Sequence, residues 1–418
     1  MIFPLRQQTD IRRQWLSARL QTILPEIMRR EGFDMWIISA REYNEDPVLL
    51  SLLPEPAIGA RRRTILLFAF TPEGHFEALA LDRYGYPGFY TAAWNPGDEA
   101  QFDCLARLVR RFDPQRIALN FSQTFAFGDG LSHHEYTLLA AALGQTYLPR
   151  VASGERLAVG WLERRIPAEI AAYSAIVALG HDLIRHAYSR AVIHPGLTTT
   201  HDVVWWLRQR IHDLGLRAWF HPTVEIQAPG QAIEAPAPGM NRTPARNVIL
   251  PGDLLHCDVG FIYLGLATDQ QQHAYVLRPA ESAPPPGLEA ALRTGNRLQD
   301  ILMQHMQPGK SGNAVLRAAL AQAAAEGIDA SIYSHPLGYH GHAAGPTIGL
   351  WDQQQGVPGS GDYPLFDDTA YSIELNIKQA VPEWNQQIVR IALEEDAVLS
   401  AGAMRWLAGR QTQLHLID

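Results

Sequence analysis

Apolar residues at Ile11, Trp15, Leu16, Leu20, Ile23, Leu24, Ile27 and Met28 recur at the three- and four-residue spacing of one helix face. That spacing predicts a helix over 9–30, with Gly32 following where a left-handed cap belongs. Short apolar runs at 35–38, 64–70, 76–81 and 117–120 have the length of buried or half-buried strands. Ser132-His133-His134-Glu135 has the S/T-x-x-E form of a capping box, and the helix it opens runs through Leu143. The two histidines there belong to a capping turn. The alternation of helix and strand predicts an α/β domain over residues 1–155.

The pattern changes across 154–161, and residues 156–418 read as a second domain. Pro167 is suited to the first position of a long helix, 167 to about 191. His194-Pro195-Gly196-Leu197-Thr198-Thr199-Thr200 separates it from an amphipathic helix over 202–214. The same order returns later: a helix over 288–306, the turn Gln307-Pro308-Gly309-Lys310-Ser311-Gly312, and a helix over 313–326. Each copy is followed by β-rich sequence, at 253–277 and 370–400, which predicts an internal duplication in an α+β domain.

Composition narrows the class. Of 418 residues, 47% are hydrophobic and 19% charged, as in a globular chain. The net charge of −8 argues against a nucleic-acid partner, which needs a basic face. No run approaches the 18 or so apolar residues of a membrane span, and the first fifteen residues are too polar for a signal core. Two cysteines, Cys104 and Cys257, with no CxxC pair, make no disulfide framework. A soluble cytoplasmic enzyme is the expectation.

The chemistry concentrates in two predicted hairpins. In the first, a turn centred between Tyr263 and Leu264 sets Asp258 opposite Asp269, on one sheet face. Two like charges so placed are destabilising unless a cation lies between them. In the second, a turn about Trp384 and Asn385 sets Glu374 opposite Glu395. Glu394 is the rival, since a one-residue bulge exchanges the two. Two carboxylate pairs suit two hard divalent ions, as in two-metal hydrolases. Imidazoles cluster in Ser334-His335-Pro336-Leu337-Gly338-Tyr339-His340-Gly341-His342-Ala343-Ala344-Gly345, among small residues that let a ligand approach closely. Cys257 faces away from Asp258 and reads as core.

These residues resemble the pita-bread metallopeptidases: aminopeptidase P, prolidase, methionine aminopeptidase and their metal-free relative creatinase. The family pattern is an Asp, a second Asp eleven residues on, a His in an H-x-x-G loop, and two Glu on a terminal hairpin. Asp258 and Asp269 match the spacing, His342-Ala343-Ala344-Gly345 the loop, Ser372-Ile373-Glu374-Leu375 the first Glu strand, and Glu395-Asp396 the second. The resemblance is strong over 160–405. Before it, layout and Glu45-Asp46-Pro47 resemble the creatinase-type N-terminal domain. It implies an N-terminal α/β domain followed by a pita-bread domain with a pseudo-twofold repeat. The implied metal ligands are Asp258, Asp269, His342, Glu374 and Glu395.

The substrate side departs from the family. Its substrate-facing His, seventeen or eighteen residues before the first Asp, falls in Pro238-Gly239-Met240-Asn241-Arg242, which has none. His221 lies further upstream. The family's His four residues before the metal His is Gly338, its His seven after is Gly349, and its Glu-Pro-Gly is Glu374-Leu375-Asn376. The resemblance implies a dinuclear hydrolase, Mn²⁺ first with Co²⁺ or Zn²⁺ as alternatives, cleaving short peptides of Xaa-Pro type and acting as a homodimer. Glu374 then carries the proton, and His340 or His335 steadies the oxyanion, with His221 a further candidate. The rewritten histidines motivate an alternative, a creatinase-like C–N hydrolase of a small amide or guanidino compound. A non-catalytic binding module is the third reading. Asn241-Arg242-Thr243 also matches a glycosylation acceptor, which has no role in a cytoplasmic chain.

Overall fold

Pro25 splits the first predicted helix. It has no N–H to bond the Gln21 carbonyl, so α1 (Leu5–Gln21) stops and α2 (Ile23–Glu31) begins after Thr22. Gly32 then closes α2 in the left-handed region at φ 69°. The computed structural model describes residues 2–231 and 246–418, so the segment 238–242 and its glycosylation-type motif lie outside the described residues. Two compact units are present, Phe3–Ile166 and Pro167–Asp418.

The first unit is a mixed six-stranded sheet. Its strands are β1 (Met35–Arg41), β2 (Arg63–Phe70), β3 (Phe76–Leu81), β4 (Thr91–Ala92), β5 (Ile117–Leu119) and β6 (Val151–Ser153), in the order β4-β3-β2-β1-β5-β6. Helices α3 (Pro47–Leu52), α4 (Gln101–Phe112), α5 (His133–Tyr147) and α6 (Glu155–Glu163) accompany it. Ser132 caps α5 as expected, and Gly144, at φ 59°, leaves helical geometry just past Leu143. The dividing point comes after Ile166, later than the 155/156 boundary expected. The reason is α6, whose Leu157, Val159, Trp161 and Leu162 are buried. Its Trp161 indole donates to Ser51 Oγ at 2.8 Å and carries Arg19 over its ring.

The second unit repeats itself. Helix α7 (Pro167–Ala187) is followed by a Pro-Gly turn, α8 (Thr200–Asp213) and the sheet β20-β12-β9-β8. That sheet comprises β8 (Thr223–Gln227), β9 (Leu254–Val259), β12 (Gln270–Val276) and the late β20 (His415–Ile417). A small sheet of β7 (Arg217–Ala218), β10 (Phe261–Tyr263) and β11 (Leu266–Ala267) lies between them in the chain. In the second half, α9 (Pro286–His305), another Pro-Gly turn and α10 (Gly312–Ala325) precede β13 (Asp329–Ile332), β16 (Leu375–Val381) and β17 (Gln387–Leu393). The turns correspond in detail: Gly196 and Gly309 take φ 87° and 82°, and Thr199 and Ser311 cap the second helices. Strands β14 (His335–Leu337), β15 (Thr369–Ser372), β18 (Asp396–Ser400) and β19 (Ala403–Trp406) form a further sheet. Leu254, Leu292, Ile301, Val315, Ile377 and Ile391 belong to one buried core, so both halves fold around it.

Both hairpins differ from the expected register. Asp258 pairs with Gln271, not Asp269, because the first turn is Leu264-Gly265, at φ 54° and 81°. Two positive φ values make it a type I′-like turn, which matches strand twist. The shift moves the partner by two residues, so Asp269 stays on the same face as a diagonal neighbour. In the second hairpin Leu375 pairs with Leu393 and Ser372 with Asp396, so Glu374 stands opposite Glu394. Asn385 and Gln386 both take positive φ, 55° and 61°, and close a loop one residue different from that expected.

Candidate metal centre

The two halves of the second unit meet where the polar residues gather. Gln271 N–H donates to the Glu394 carbonyl at 2.9 Å, and Glu394 N–H returns the bond at 3.2 Å. This bridge joins β12 of one half to the β17–β18 strand path of the other. Glu374 lies in the break between β15 and β16, and Glu394 in the break between β17 and β18, where each chain passes from one sheet to another. Asp258 comes from β9, Asp269 sits just before β12, and His335 opens β14.

Side chains from five segments thus point into one place. Asp258, Asp269 and Glu394 offer oxygens within 4.8 Å of one another, and a His335 ring nitrogen and oxygens of Glu374 and Glu394 lie as close together. Asp269, His335 and His342 make a third such group. His335 Nε2 lies 3.8 Å from Asp269, 3.9 Å from Glu374 and 3.7 Å from Glu394, and its Nδ1 is 3.1 Å from the Pro336 carbonyl. That carbonyl can only accept, so it sets Nδ1 as a protonated nitrogen and turns Nε2 toward the carboxylates.

The electrostatics call for cations. Burial pushes Asp258, Asp269 and Glu374 well above the usual carboxylate range, and the Glu394 charge adds to it in each. Burial opposes ionisation of Glu394 too, but His335, Ser372 and Gln271 together hold it below its ordinary value. Among the described residues Asp258 Oδ1, Asp269 Oδ1 and His335 Nε2 are buried with no hydrogen-bond partner. Buried polar atoms are rarely left so. Oxygens from four carboxylates and one imidazole nitrogen are a donor set for hard or borderline divalent ions, and the residues present fit such ions.

The sequence-based site is redrawn at two positions. Glu395 is one residue out of register: its carboxylate accepts from Gln272 at 2.7 Å and the Gln411 amide at 2.9 Å, and bonds His181 Nε2 at 2.6 Å. It joins none of the donor groups, and Glu394 takes the place expected of it. His335 lies beside Asp269, Glu374 and Glu394, while His342 shares a donor group with Asp269 and His335 alone and packs its ring 4.7 Å from that of His335, edge-on. Within the histidine-rich segment the His-x-x-Gly spacing occurs twice, at His335 to Gly338 and at His342 to Gly345; the first copy opens strand β14 and sets His335 beside the carboxylates. Among the described residues His340 and His221 join no donor group, and the His221 ring lies 5.2 Å from Trp205.

Several residues with no local sequence signal support the centre. The Asp269 N–H faces the Asp396 carboxylate at 3.3 Å. Gln271, in a run of buried Gln270, Gln271, Gln272 and His273, reaches both glutamates. Beside them, the Trp219 ring lies 5.1 Å from that of His342, and Tyr333 Oη is 3.4 Å from His342 Nε2. The indole fits only because Gly260 and Gly341 lack side chains, since a Cβ at either would fall 2.3 or 2.2 Å from it.

The family model of metallopeptidase family M24 matches residues 171–401. No curated protein sequence matches the chain. Among solved structures it is similar to an X-Pro aminopeptidase from Thermotoga maritima, at 15% identity and TM-score 0.64, covering 94% of this chain and 99% of that one. An Xaa-Pro dipeptidase from Bacillus anthracis is similar at 15% identity and TM-score 0.59, covering 96% and 99%. So is the N-terminal domain of the FACT complex subunit SPT16 from chickpea, Cicer arietinum, at 11% identity and TM-score 0.56, covering 97% and 99%. Likeness at such identity shows the two-domain pita-bread architecture alone.

Proposed function

Given that this chain belongs to metallopeptidase family M24, we propose that it is a dinuclear metal-dependent peptidase that cleaves short peptides of Xaa-Pro type. The observation that carries the reading is the set of buried, unpartnered donors, Asp258 Oδ1, Asp269 Oδ1 and His335 Nε2, facing Glu374 and Glu394. A binding module on the same fold has no need to keep three unpartnered donors beside two further carboxylates, at the cost of burying so much negative charge. Among the described residues no helix is long and apolar enough to cross a membrane. The reading includes a homodimer acting in the cytoplasm, which rests on the family resemblance.

In this proposal Asp258, Asp269, His335, Glu374 and Glu394 hold the ions, Mn²⁺ first, since oxygen ligands dominate. When bound, the ions supply the Lewis-acid charge that makes water a nucleophile near neutral pH. Glu374 takes the proton from the attacking water and gives it to the leaving amine, the general acid–base role. His342 and Tyr333 stand beside the centre, where their ring N–H and hydroxyl can donate to the substrate carbonyl as charge develops on it. Trp219 gives the site an apolar wall suited to a proline ring.

Metal content of the purified protein and of Asp258→Asn, before and after Mn²⁺ reloading, tests the reading together with hydrolysis of Xaa-Pro peptides. One to two equivalents in the wild type, lost in the variant, and turnover that depends on them are the expected result. No ion retained after reloading overturns it. Ions retained with turnover of small amides or guanidino compounds but not of peptides selects the creatinase-like alternative, which the Glu374-Leu375-Asn376 sequence motivates.

A further inference from the structure

Gln271 occupies the position directly across from Asp258, where the sequence pattern placed a second aspartate. Its side chain is buried, and one amide nitrogen serves two carboxylates. Nε2 donates to Glu374 Oε1 at 2.8 Å and to Glu394 Oε2 at 2.7 Å, which uses both of its hydrogens. Its carbonyl oxygen lies 2.9 Å from His256 Nε2. The two carboxylates fix which end of the amide is which, because when ionised they can only accept, so the nitrogen faces them and the oxygen faces His256. His256 is buried in turn, with its Nδ1 3.6 Å from Glu225.

The consequence falls on the other oxygen of each glutamate. Glu374 Oε2 and Glu394 Oε1 are the atoms that face His335, at 3.9 and 3.7 Å. Ser372 Oγ–H further restrains Glu394 Oε1. Two carboxylates that could each chelate an ion through both oxygens are thereby turned to present one oxygen apiece toward His335. The same two hydrogen bonds lessen the repulsion between the glutamates, which bear on each other electrostatically.

We propose that Gln271 is a positioning residue of the metal centre: its amide ties one oxygen of Glu374 and one of Glu394 and holds the other oxygen of each turned toward His335. The proposal rests on the metallopeptidase reading above. Outer partners that orient metal ligands change metal affinity by about 10- to 100-fold when removed. Gln271→Met keeps length and apolar volume and deletes both donors and the acceptor. His256→Phe leaves Gln271 in place and removes the group that orients its amide.

The test is Co²⁺ titration of the metal-free wild type and of both variants, followed by visible absorption, which reports ligand number and geometry, with circular dichroism as the check on folding. The expected result is a dissociation constant raised about 10- to 100-fold in Gln271→Met and an altered d–d spectrum. His256→Phe is expected to change the spectrum in the same direction by a smaller amount. If Gln271→Met does not fold, the spectrum of His256→Phe decides. Variants that bind Co²⁺ with the wild-type constant and the wild-type spectrum overturn the role of Gln271. A wild type that takes up no Co²⁺ instead overturns the metallopeptidase reading on which it rests.

Discussion

Glu394 and Glu395 are adjacent, both fully buried and both acidic, yet their surroundings separate them. Glu394 shares its site with Asp258, Asp269, Glu374 and His335, whereas Glu395 is consumed by Gln272, Gln411 and His181. Glu394→Gln is therefore expected to lower metal affinity by more than the roughly 100-fold reached by outer partners, and Glu395→Gln to keep the ions while costing about 1–3 kcal/mol of stability. Equal metal content in the two variants, measured by mass spectrometry, would contradict the assignment. A second residue-scale prediction concerns Asp46 in the first unit. Burial pushes its carboxyl up to about 6, against the bonds from Asn120, Val48 and Leu49 that favour its charge. Its folded value exceeds the unfolded one, so the native state binds more protons between them. Its contribution is full below about pH 4 and is lost as pH rises through about 6, an effect of about 3 kcal/mol. Asp46→Asn removes the titration, so its stability relative to the wild type should improve across that window in urea unfolding. Parallel stability curves for the two proteins would sink this. What the sequence made legible at this scale was residue type and order: two Asp, a His, two Glu. Which His and which last Glu depended on backbone direction, and two His-x-x-Gly copies and a Glu-Glu pair offered the same local signal.

That ambiguity is resolved by strand register, a property of elements. Counting inward from matched apolar strands located both hairpins, but the centre of each turn lay beyond the pattern. Leu264, Asn385 and Gln386 all take positive φ, which no bulky or branched side chain signals in advance. A shift of one in the residue sum exchanged Glu395 for Glu394, and a shift of two put Gln271 opposite Asp258 while leaving Asp269 on the same face. The early helix behaved similarly, since its apolar stripe runs through Thr22 and only Pro25 reveals the break. Close packing between elements was less legible still. Trp219 is seated by Gly260 and Gly341, residues from separate segments whose roles appear only when the backbone closes around the indole. Gly341→Ala would set a Cβ 2.2 Å from two indole carbons, so Trp219 must move. The expected outcome is kcat/KM for an Xaa-Pro peptide reduced roughly 10- to 100-fold with metal content unchanged. A variant with the wild-type constant would mean that the indole takes no part in shaping the site.

At the scale of the whole second unit, the repeat explains why a charged centre can sit inside an apolar body. Each half contributes a helix pair and a sheet, and the halves join through the reciprocal bonds of Gln271 and Glu394, between β12 and the β17–β18 path. Asp258 and Asp269 come from one half and His335, Glu374 and Glu394 from the other, so all five donors come together only where the halves meet. The helix–turn–helix repetition was visible in sequence because Pro-Gly turns and capping residues are local signals. The junction was not, because it is made of long-range pairings. Ions bound there would bridge the two halves and offset the repulsion of carboxylates that burial otherwise drives toward protonation. Binding confined to the folded state stabilises it by mass action, by about 2.7 kcal/mol when free ion exceeds the dissociation constant 100-fold. Calorimetry of the chelator-treated protein with increasing Mn²⁺ should therefore show a transition that rises steadily with ion concentration, and Glu394→Gln should flatten the rise. A transition indifferent to Mn²⁺ in the wild type would mean that the carboxylates keep their protons and that the halves are held by the apolar core alone.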